Sequence, residues 1–571
     1  MLRFLWRHRF GLVAAELVGV MLLAYLWLGM AGRTERWLEG EFWYAEYYSP
    51  LADAFARGQT HLPVEPAPEL LALPDPYDPV ANAPYRFHDA LLYQGRYYLY
   101  WGPVPALLLV PLKWLGVGAI PDAYLMLAFL PGTVVFSVLL IHSLWRRLFP
   151  ALPWWTALPG ILVAGLGHPI PAVMSRPLVY EAAIAGGQCF LMAGLYWTLA
   201  AFAPGRRVPW RMALGGCCLA LAVGTRSSLV FAAGFLVLAV AWRVARLPAR
   251  RSVRSDLTGV ALYGLPPLLA VIGLCWYNYI RFDSWSEFGL RYQLFGASHA
   301  EIDPNAFSVR HVLPNLYNYL LRPFGFQGAF PYYVRTNSNT TFPGWIVPAP
   351  GYGWGDMQVT GILWSAPYLV LGMIPLARLV GRFVGRGLRA GGKPMPTPRP
   401  LEDWFVACLF GTAVLGMLIP LFMSAAAVRY LADCTPSLVV LAAVGAWQGY
   451  RGLFPRLLGR TFWGLAVAAL ALASAFVGVL FSTATIQELR ECEWLPRWHP
   501  DFLDPVTATP VLDGQILILL TALGLNGLLC LAMPVLARGE WRKASLSGPH
   551  GRSRPGPAGG RLPVGNLKRS V

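Results

Sequence analysis

Long apolar runs alternate with short basic segments along most of this chain, a pattern typical of helices that cross a membrane. A crossing helix needs roughly 18 or more apolar residues. The predicted fold class is therefore an all-α polytopic membrane protein, a bundle of about 12 transmembrane helices with large outer loops. The predicted crossings are 11–31, 121–144, 153–172, 180–203, two short passes within 212–242, 257–280, one between 356 and 377, 405–426, 431–449, 462–482 and 514–537.

One apolar piece, 104–118, is too short to cross and is interrupted by Pro105 and Pro111. It predicts an interfacial or re-entrant helix on the outer surface. Lys and Arg are enriched in cytoplasmic loops. If 104–118 does not cross, every arginine cluster falls on the cytoplasmic side, whereas a full crossing would place Arg146 and Arg147 outside. Both termini are then cytoplasmic.

This topology divides the chain into alternating membrane and loop segments. In order, they are a cytoplasmic N-terminus with the first helix (1–31), a first outer loop with interfacial helices and the candidate active site (32–120), helices 2 to 7 (121–280), a second outer loop (281–355), helices 8 to 11 (356–483), a third outer loop (484–513), helix 12 (514–538) and a disordered basic cytoplasmic tail (539–571).

Composition supports a membrane protein and excludes other classes. Only 13% of the 571 residues are charged and 56% are hydrophobic, whereas soluble domains carry about a quarter charged residues. The net charge of +17 is explained by basic cytoplasmic loops rather than by nucleic-acid binding, since no nucleic-acid motif accompanies it. The expected location is the plasma (inner) membrane. The eight cysteines include no CxxC pair and predict neither a disulfide framework nor a metal site.

The densest polar and aromatic stretch is 71–105, in the first outer loop. The predicted crossings are nearly free of ionisable residues, with Arg226 as the main exception. Carriers and pumps usually hold acidic residues or histidine near the membrane midplane. The distribution therefore favours an enzyme that works at the level of the lipid headgroups.

Asp89 is the main candidate for a catalytic base. It follows His88 and lies near Arg96 and the run of Tyr97 and Tyr98. A carboxylate held among aromatic rings is partly desolvated, which suits a general base. The alternative is that Asp89 caps a short helix over 90–94.

Three other acidic residues of this region have two interpretations each. Glu46 lies in an amphipathic stretch whose tyrosines suit an interfacial belt, and it is a second candidate for the site. Asp75 and Asp78 lie in PDPYDP, where aspartate next to proline starts turns. As a less favoured alternative, both aspartates belong to a site for a divalent metal, magnesium or manganese.

Polar residues also cluster at the outer ends of predicted helices. Arg176, Tyr180 and Glu181 lie at the mouth of the fourth helix, where a carboxylate is costly and needs a partner or a function. Arginines recur at other outer helix ends, and guanidinium groups suit the phosphate of a lipid. Pairing with nearby acids, among them Asp283, Glu287 and Asp433, explains these arginines equally well. They are Arg226, Arg281, Arg291 and Arg429.

With these residues, the chain resembles the GT-C superfamily of integral-membrane glycosyltransferases, which includes the protein O-mannosyltransferases and the aminoarabinose transferases. Three features carry the resemblance: GRYYLYWGPVP at 95–105, the pair of Arg176 and Glu181, and two segments, WYNYIRF at 276–282 and RYLAD at 429–433, which resemble uncharacterised bacterial members. The second of these contains Arg429 and Tyr430.

One feature departs from the family pattern. The family usually places an aspartate, or an aspartate–glutamate pair, directly after the first helix, about fifteen residues before a glycine. Counted back from Gly58, this chain has Trp43 and Tyr44 there, flanked by Glu41 and Glu46. Either a flanking glutamate substitutes, or Asp89 has taken over, or the activity is altered.

The resemblance implies inverting transfer of a sugar from a polyprenyl-phosphate donor to a lipid, glycan or protein acceptor outside the cytoplasm. Asp89 or Glu46 would deprotonate the acceptor hydroxyl, and the outer arginines would stabilise the leaving phosphate. Some relatives use a divalent metal and others do not. Two alternatives stay open: a transporter or flippase of lipid-linked saccharides, and a non-catalytic protein of cell-envelope assembly.

Overall fold

A computed structural model describes a mainly helical protein. The described residues are 2–29, 47–202, 209–246, 253–296, 306–326, 328, 333–334, 336–339, 341–353, 357–388, 400–452 and 457–491. Glu46, the predicted helix at 514–537 and the basic tail lie outside these residues, as does most of the predicted third outer loop.

The α-helices, numbered along the chain, are α1 (Leu2–Gly29), α2 (Tyr48–Ala56), α3 (Pro68–Leu71), α4 (Val104–Trp114), α5 (Asp122–Leu148), α6 (Leu158–Leu166), α7 (Ile170–Met174), α8 (Val179–Ala201), α9 (Pro209–Thr225), α10 (Val230–Ala245), α11 (Val253–Phe282), α12 (Val312–Leu320), α13 (Ile362–Ser365), α14 (Met373–Leu388), α15 (Pro400–Gly416), α16 (Leu418–Phe422), α17 (Thr435–Gly452) and α18 (Leu457–Glu491). Turns of 3₁₀ helix occur at Trp154–Ala157, Ser227–Leu229, Leu290–Tyr292, Val309–His311, Pro367–Gly372 and Val428–Asp433.

Three small antiparallel sheets lie in the loops. They pair β1 (Leu91–Tyr93) with β2 (Arg96–Tyr98), β3 (Gly325–Phe326) with β4 (Tyr333–Val334), and β5 (Thr336–Asn337) with β6 (Gln358–Val359). In the first hairpin Leu92 is opposite Tyr97, and the connecting residues Gln94 and Gly95 both have positive φ. A two-residue turn of this kind matches the right-handed twist of the flanking strands.

Seven helical segments of the described chain are long and apolar enough to cross a membrane, and each coincides with a predicted crossing. They are Phe10–Gly29, Asp122–Leu148, Trp154–Met174, Val179–Ala201, Ser227–Ala245, Arg254–Phe282 and Leu458–Thr485. The helices α9, α15 and α17 overlap other predicted crossings, whereas most of α14 lies beyond residue 377, where the predicted crossing ends. The all-α polytopic membrane fold is therefore confirmed. The apolar piece after residue 103 forms the 11-residue helix α4, which is about 16 Å long and too short to cross.

Three predicted crossings differ in their boundaries from the observed helices. The helix expected between 356 and 377 is broken into α13, a 3₁₀ turn and α14, because Pro367 lacks an amide hydrogen and disfavours helical backbone at Ala366 (φ −142°, ψ 65°). The helix expected at 405–426 is divided after Gly416, and the one expected at 431–449 begins only at Thr435.

The helices pack closely where small residues face a neighbour. On α9, a Cβ atom added to Gly216 would collide with the backbone carbonyl oxygen of Tyr263 on α11. Lipid tails are as apolar as leucine, so membrane helices associate through such close packing rather than through hydrophobic burial alone.

The first loop, defined as residues 47–103, is attached to the helix bundle near the start of α5. The carboxylate of Asp122, which is fully buried, accepts the backbone N–H groups of Tyr47 and Tyr48 at 3.3 and 3.2 Å. Lys113 of α4 donates to Ser49 Oγ at 2.8 Å and pairs with Asp53 at 3.1 Å. These contacts hold α2 and α4 together.

Substitution of Gly216 by Ala is expected to lower stability by about 1–3 kcal/mol, because the added methyl group must displace α11 backbone. The measurement is thermal unfolding of the purified protein in detergent. Gly234→Ala is the matched control, since a Cβ atom there has no atom within 4 Å and alanine favours a helix. Equal melting temperatures for the two variants would contradict the close packing of α9 on α11.

Candidate active site

Asp89 is buried directly before β1 and is held by three hydrogen bonds. Its backbone N–H donates to the carbonyl of Leu294 at 2.7 Å, and its Oδ1 accepts the hydroxyl of Tyr180 at 2.8 Å and Gln293 Nε2 at 3.1 Å. Its φ of 61° lies in the left-handed region, which is uncommon for a residue with a side chain. Leu91–Tyr93 is a strand, so the alternative that Asp89 caps a helix over 90–94 is wrong.

Two loops meet at Asp89. We define the second loop as residues 283–296 and 306–353 within the described chain. Leu294 N–H donates to the carbonyl of Ala90 at 2.9 Å, and Leu91 forms an antiparallel bridge with Gln293. Gln293 Nε2 also lies 3.1 Å from the hydroxyl of Tyr180. No sequence pattern indicates Gln293 as a site residue, because a single amide in a loop has no distinguishing spacing or neighbours.

His88 lies beside the carboxylate, with its Nε2 3.6 Å from Asp89 Oδ2. Burial lowers the pKa of His88 from its ordinary value, and the charges of Arg86 and Arg176 lower it further, although Asp89 acts in the opposite direction. The imidazole is therefore neutral near pH 7. A neutral imidazole adds no positive charge beside the carboxyl group of Asp89.

A cavity of about 490 Å³ lies next to this junction. Its wall combines the polar ends of helices with aromatic and apolar side chains of both loops. Burial raises the pKa of Tyr100, one of the lining residues, to about 12, so its hydroxyl stays protonated. The lining residues include Tyr100, Trp101, Tyr180, Thr225, Arg226, Ser227, Ser228, Phe231, Phe288, Gln293, Phe295, Phe307, Met423, Arg429 and Tyr430.

Arg429 lines the cavity from the 3₁₀ turn before α17. Its side chain is 8% exposed, and its guanidinium lies 4.6 Å from the ring centre of Tyr180 and 5.3 Å from that of Tyr430. Its Nε has no hydrogen-bond partner. A buried donor without a partner costs free energy that an anionic ligand would recover. The geometry suits a phosphate site.

Arg226 also lines the cavity but is paired. Its Nε and Nη2 both donate to Asp433 Oδ2, at 2.9 and 2.5 Å. Gln188 of α8 donates to the backbone carbonyl of Asp433 at 3.2 Å. For Arg226, pairing with an acid is the correct alternative, and the same holds for Arg291, which pairs with Glu287 at 2.9 Å.

The cavity wall also includes the start of α10. Ser227 and Ser228 line the cavity directly before this helix, whose N-terminal amide groups favour anions. The first loop passes close to the end of α9: the approach is so close that a Cβ atom on Gly102 would collide with the carbonyl oxygen of Gly224. This approach brings Trp101 against Tyr180, with ring centres 4.5 Å apart.

Glu181 and Arg176 form the pair expected at the mouth of the fourth helix. Glu181 is 2% exposed, and its Oε1 lies 3.9 Å from Arg176 Nε. Its Oε2 has no hydrogen-bond partner. Neither Arg176 nor Glu181 is among the residues that line the cavity, whereas Tyr180 is.

Several predicted substrate-binding residues do not reach the cavity. Arg96 is exposed on β2. The buried rings of Tyr97 and Tyr98 pack within the loop core, Tyr98 against Phe282 at 5.6 Å. Arg281 is buried and donates to the carbonyl of Leu99 at 2.7 Å, a contact that joins α11 to the first loop.

Asp75 and Asp78 are exposed and close turns. Asp75 Oδ1 accepts the backbone N–H of Tyr77, and Asp78 Oδ1 accepts that of Val80, each at 2.9 Å. The described part of the chain contains no group of three or more His, Cys, Asp or Glu side chains placed to hold a metal ion. The arrangement fits turn-forming aspartates and does not fit a magnesium or manganese site.

The chain is similar to solved structures of membrane glycosyltransferases. Two are structures of the Archaeoglobus fulgidus oligosaccharyltransferase, one in the apo form and one tethered to an acceptor peptide with the NVT sequon. Each is 12% identical to this chain, with a TM-score of 0.41, and the match covers 83% of this chain. The match covers only 56% and 55% of the two oligosaccharyltransferase chains. The third is ArnT from Cupriavidus metallidurans bound to undecaprenyl phosphate, 12% identical with a TM-score of 0.38, which covers 93% of this chain and 78% of that one. These are GT-C enzymes, the superfamily that the sequence resembles. Neither a protein-family model nor a curated protein matches the chain.

Substitution of Gln293 by Ala is expected to loosen the junction between the two loops, because it removes the hydrogen bonds to Asp89 and Tyr180. Two bonds of about 1 kcal/mol each correspond to an increase of roughly tenfold or more in amide exchange at Asp89 and Leu294. Hydrogen–deuterium exchange measures this change. The control is Glu69→Ala, an exposed position of the first loop; unchanged exchange in the Gln293 variant would show that the side chain does not hold the loops.

Proposed function

We propose that the protein is a membrane glycosyltransferase that moves a sugar from a polyprenyl-phosphate-linked donor to an acceptor hydroxyl on the non-cytoplasmic side of the plasma membrane. One observation carries the proposal: a carboxylate and a guanidinium without a carboxylate partner meet at the same side chain. Asp89 Oδ1 accepts the hydroxyl of Tyr180 at 2.8 Å, and the guanidinium of Arg429 lies 4.6 Å from the ring of the same tyrosine. The proposed base and the proposed phosphate site would thus be adjacent.

In the proposed reaction, Asp89 acts as the general base. Its Oδ1 is occupied by Tyr180 and Gln293, which leaves Oδ2 to accept the proton of the acceptor hydroxyl. The acceptor oxygen forms a bond to the anomeric carbon from the face opposite the phosphate, and the bond between that carbon and the phosphate oxygen breaks. The electron pair leaves with the lipid phosphate, so the configuration inverts.

Arg429 and the start of α10 would stabilise the leaving phosphate. The guanidinium offers charged donors, and Ser227 and Ser228 offer hydroxyl groups at a helix N-terminus. Donors that are already in position where negative charge develops lower the barrier without reorganisation. These three residues all line the cavity.

The apolar residues of the cavity would receive the polyprenyl chain. Phe231, Phe288 and Phe307 line the cavity and are 42%, 39% and 50% exposed, so an apolar wall continues from the cavity to the protein surface. On α10, Leu238 and Trp242 extend the exposed stripe that begins at Phe231, with the spacing of one helix face. A lipid tail would lie along this face.

Substitution of Asp89 by Asn is expected to lower sugar transfer by about 10²–10⁴-fold, because the amide cannot accept the proton of the acceptor. Binding of polyprenyl-phosphate sugars should persist, since the donor phosphate is bound elsewhere. The assay compares both activities in purified protein, with Asp78→Asn as the control. Transfer that survives in Asp89→Asn would move the base to Glu46 or Glu181, and a protein that binds but never transfers would be a transporter or an assembly protein.

Substitution of Arg429 by Gln is expected to weaken binding of polyprenyl phosphate by roughly 10- to 100-fold, as expected for loss of a charge-assisted hydrogen bond. The matched control is Arg96→Gln, which removes an exposed guanidinium outside the cavity. Titration of the purified protein with the lipid measures both affinities. Equal affinities in the two variants would exclude Arg429 from the phosphate site.

A further inference from the structure

The cavity wall carries two positively charged side chains, of which one is paired with a carboxylate and the other is not. Among the described residues that line it, Arg226 and Arg429 are the ones that bear a charge. Arg226 lies between the end of α9 and the turn Ser227–Leu229, and Arg429 lies in the turn Val428–Asp433 before α17. Whether each charge is compensated decides how many negative charges a ligand can bring into the cavity.

Asp433 compensates Arg226. Two donors of the guanidinium converge on one carboxylate oxygen, and the side chain of Asp433 is fully buried. Gln188 lies 3.5 Å from the other carboxylate oxygen and holds the aspartate from α8. A buried ion pair contributes little net stability compared with apolar packing. A purely structural role, in which the pair joins the end of α9 to the turn before α17, therefore does not by itself explain why both residues are charged.

Arg429 has no carboxylate in direct contact among the described residues. Aromatic faces attract its guanidinium but supply no countercharge. Glu181 attracts Arg429 through space but forms no ion pair with it; the cation that it contacts is Arg176, at 3.9 Å. The cavity wall therefore presents one positive charge that no carboxylate of the described chain neutralises by direct contact.

We propose that Asp433 determines the donor specificity of the cavity by neutralising Arg226, so that a donor with a single phosphate is preferred over one with a diphosphate. This inference rests on the proposed function, since it concerns the donor of that reaction. A sugar linked to a lipid through one phosphate carries one negative charge, which matches Arg429. A diphosphate linkage carries two, and the second would enter a site of low dielectric without a cation.

The test uses two probes without a sugar: farnesyl methyl phosphate, with one negative charge, and farnesyl methyl diphosphate, with two. Their affinities are measured for the full chain in detergent by calorimetric titration. The wild type is expected to bind the monophosphate at least about tenfold more tightly. Asp433→Asn, which frees the charge of Arg226, is expected to shift this ratio about tenfold or more toward the diphosphate.

The matched control is the double variant Arg226→Gln/Asp433→Asn, which removes both charges and is expected to restore the wild-type ratio. Equal binding of both probes by the wild type would overturn the inference, even if Asp433→Asn does not fold, and would leave the proposed function standing. An unchanged ratio in folded Asp433→Asn would also overturn it. Binding of neither probe by the wild type would overturn the proposed function together with the inference.

Discussion

The candidate active site depends on one hydrogen-bonded junction, in which Asp89, Tyr180 and Gln293 meet. Each belongs to a different part of the chain: the first loop, the start of α8 and the second loop. Because the junction is buried, loss of one member would leave the others with unsatisfied polar groups. The loops are thus held in one geometry over the helix ends, and the cavity lies where they meet.

A second constraint is the cost of charge in a desolvated region. Arg226 is met by the buried carboxylate of Asp433, whereas Arg429 lies between aromatic rings. An arginine that is already paired binds an added anion less strongly than one that is not. Under the proposed function, the positions of the carboxylates, rather than the number of arginines, would therefore decide where the donor phosphate binds.

Breaks in the helices place these groups at the cavity. Arg226 precedes the turn Ser227–Leu229, and Arg429 lies within the turn Val428–Asp433. Irregular backbone within a membrane protein is tolerated where it is buried in protein or lines a cavity, because its polar groups need partners. The same breaks bring a helix N-terminus and two arginine side chains to the lining of one cavity.

The sequence by itself determined the membrane-spanning helical fold, because the thickness of the hydrocarbon sets how long an apolar run must be. It also indicated Asp89, Tyr180 and Arg429 as candidate residues, since polar groups beside apolar runs are costly and tend to have a function. It did not determine where proline and glycine end the helices of residues 356–452, which depends on local backbone geometry. Only the tertiary structure shows that Arg429 lines the cavity while Arg281 bonds to the carbonyl of Leu99. It alone shows the contact of Gln293 with Asp89 and the pairing of Arg226 with Asp433. Those contacts join residues that are 204 and 207 positions apart, and no local pattern encodes a contact formed by the packing of distant segments.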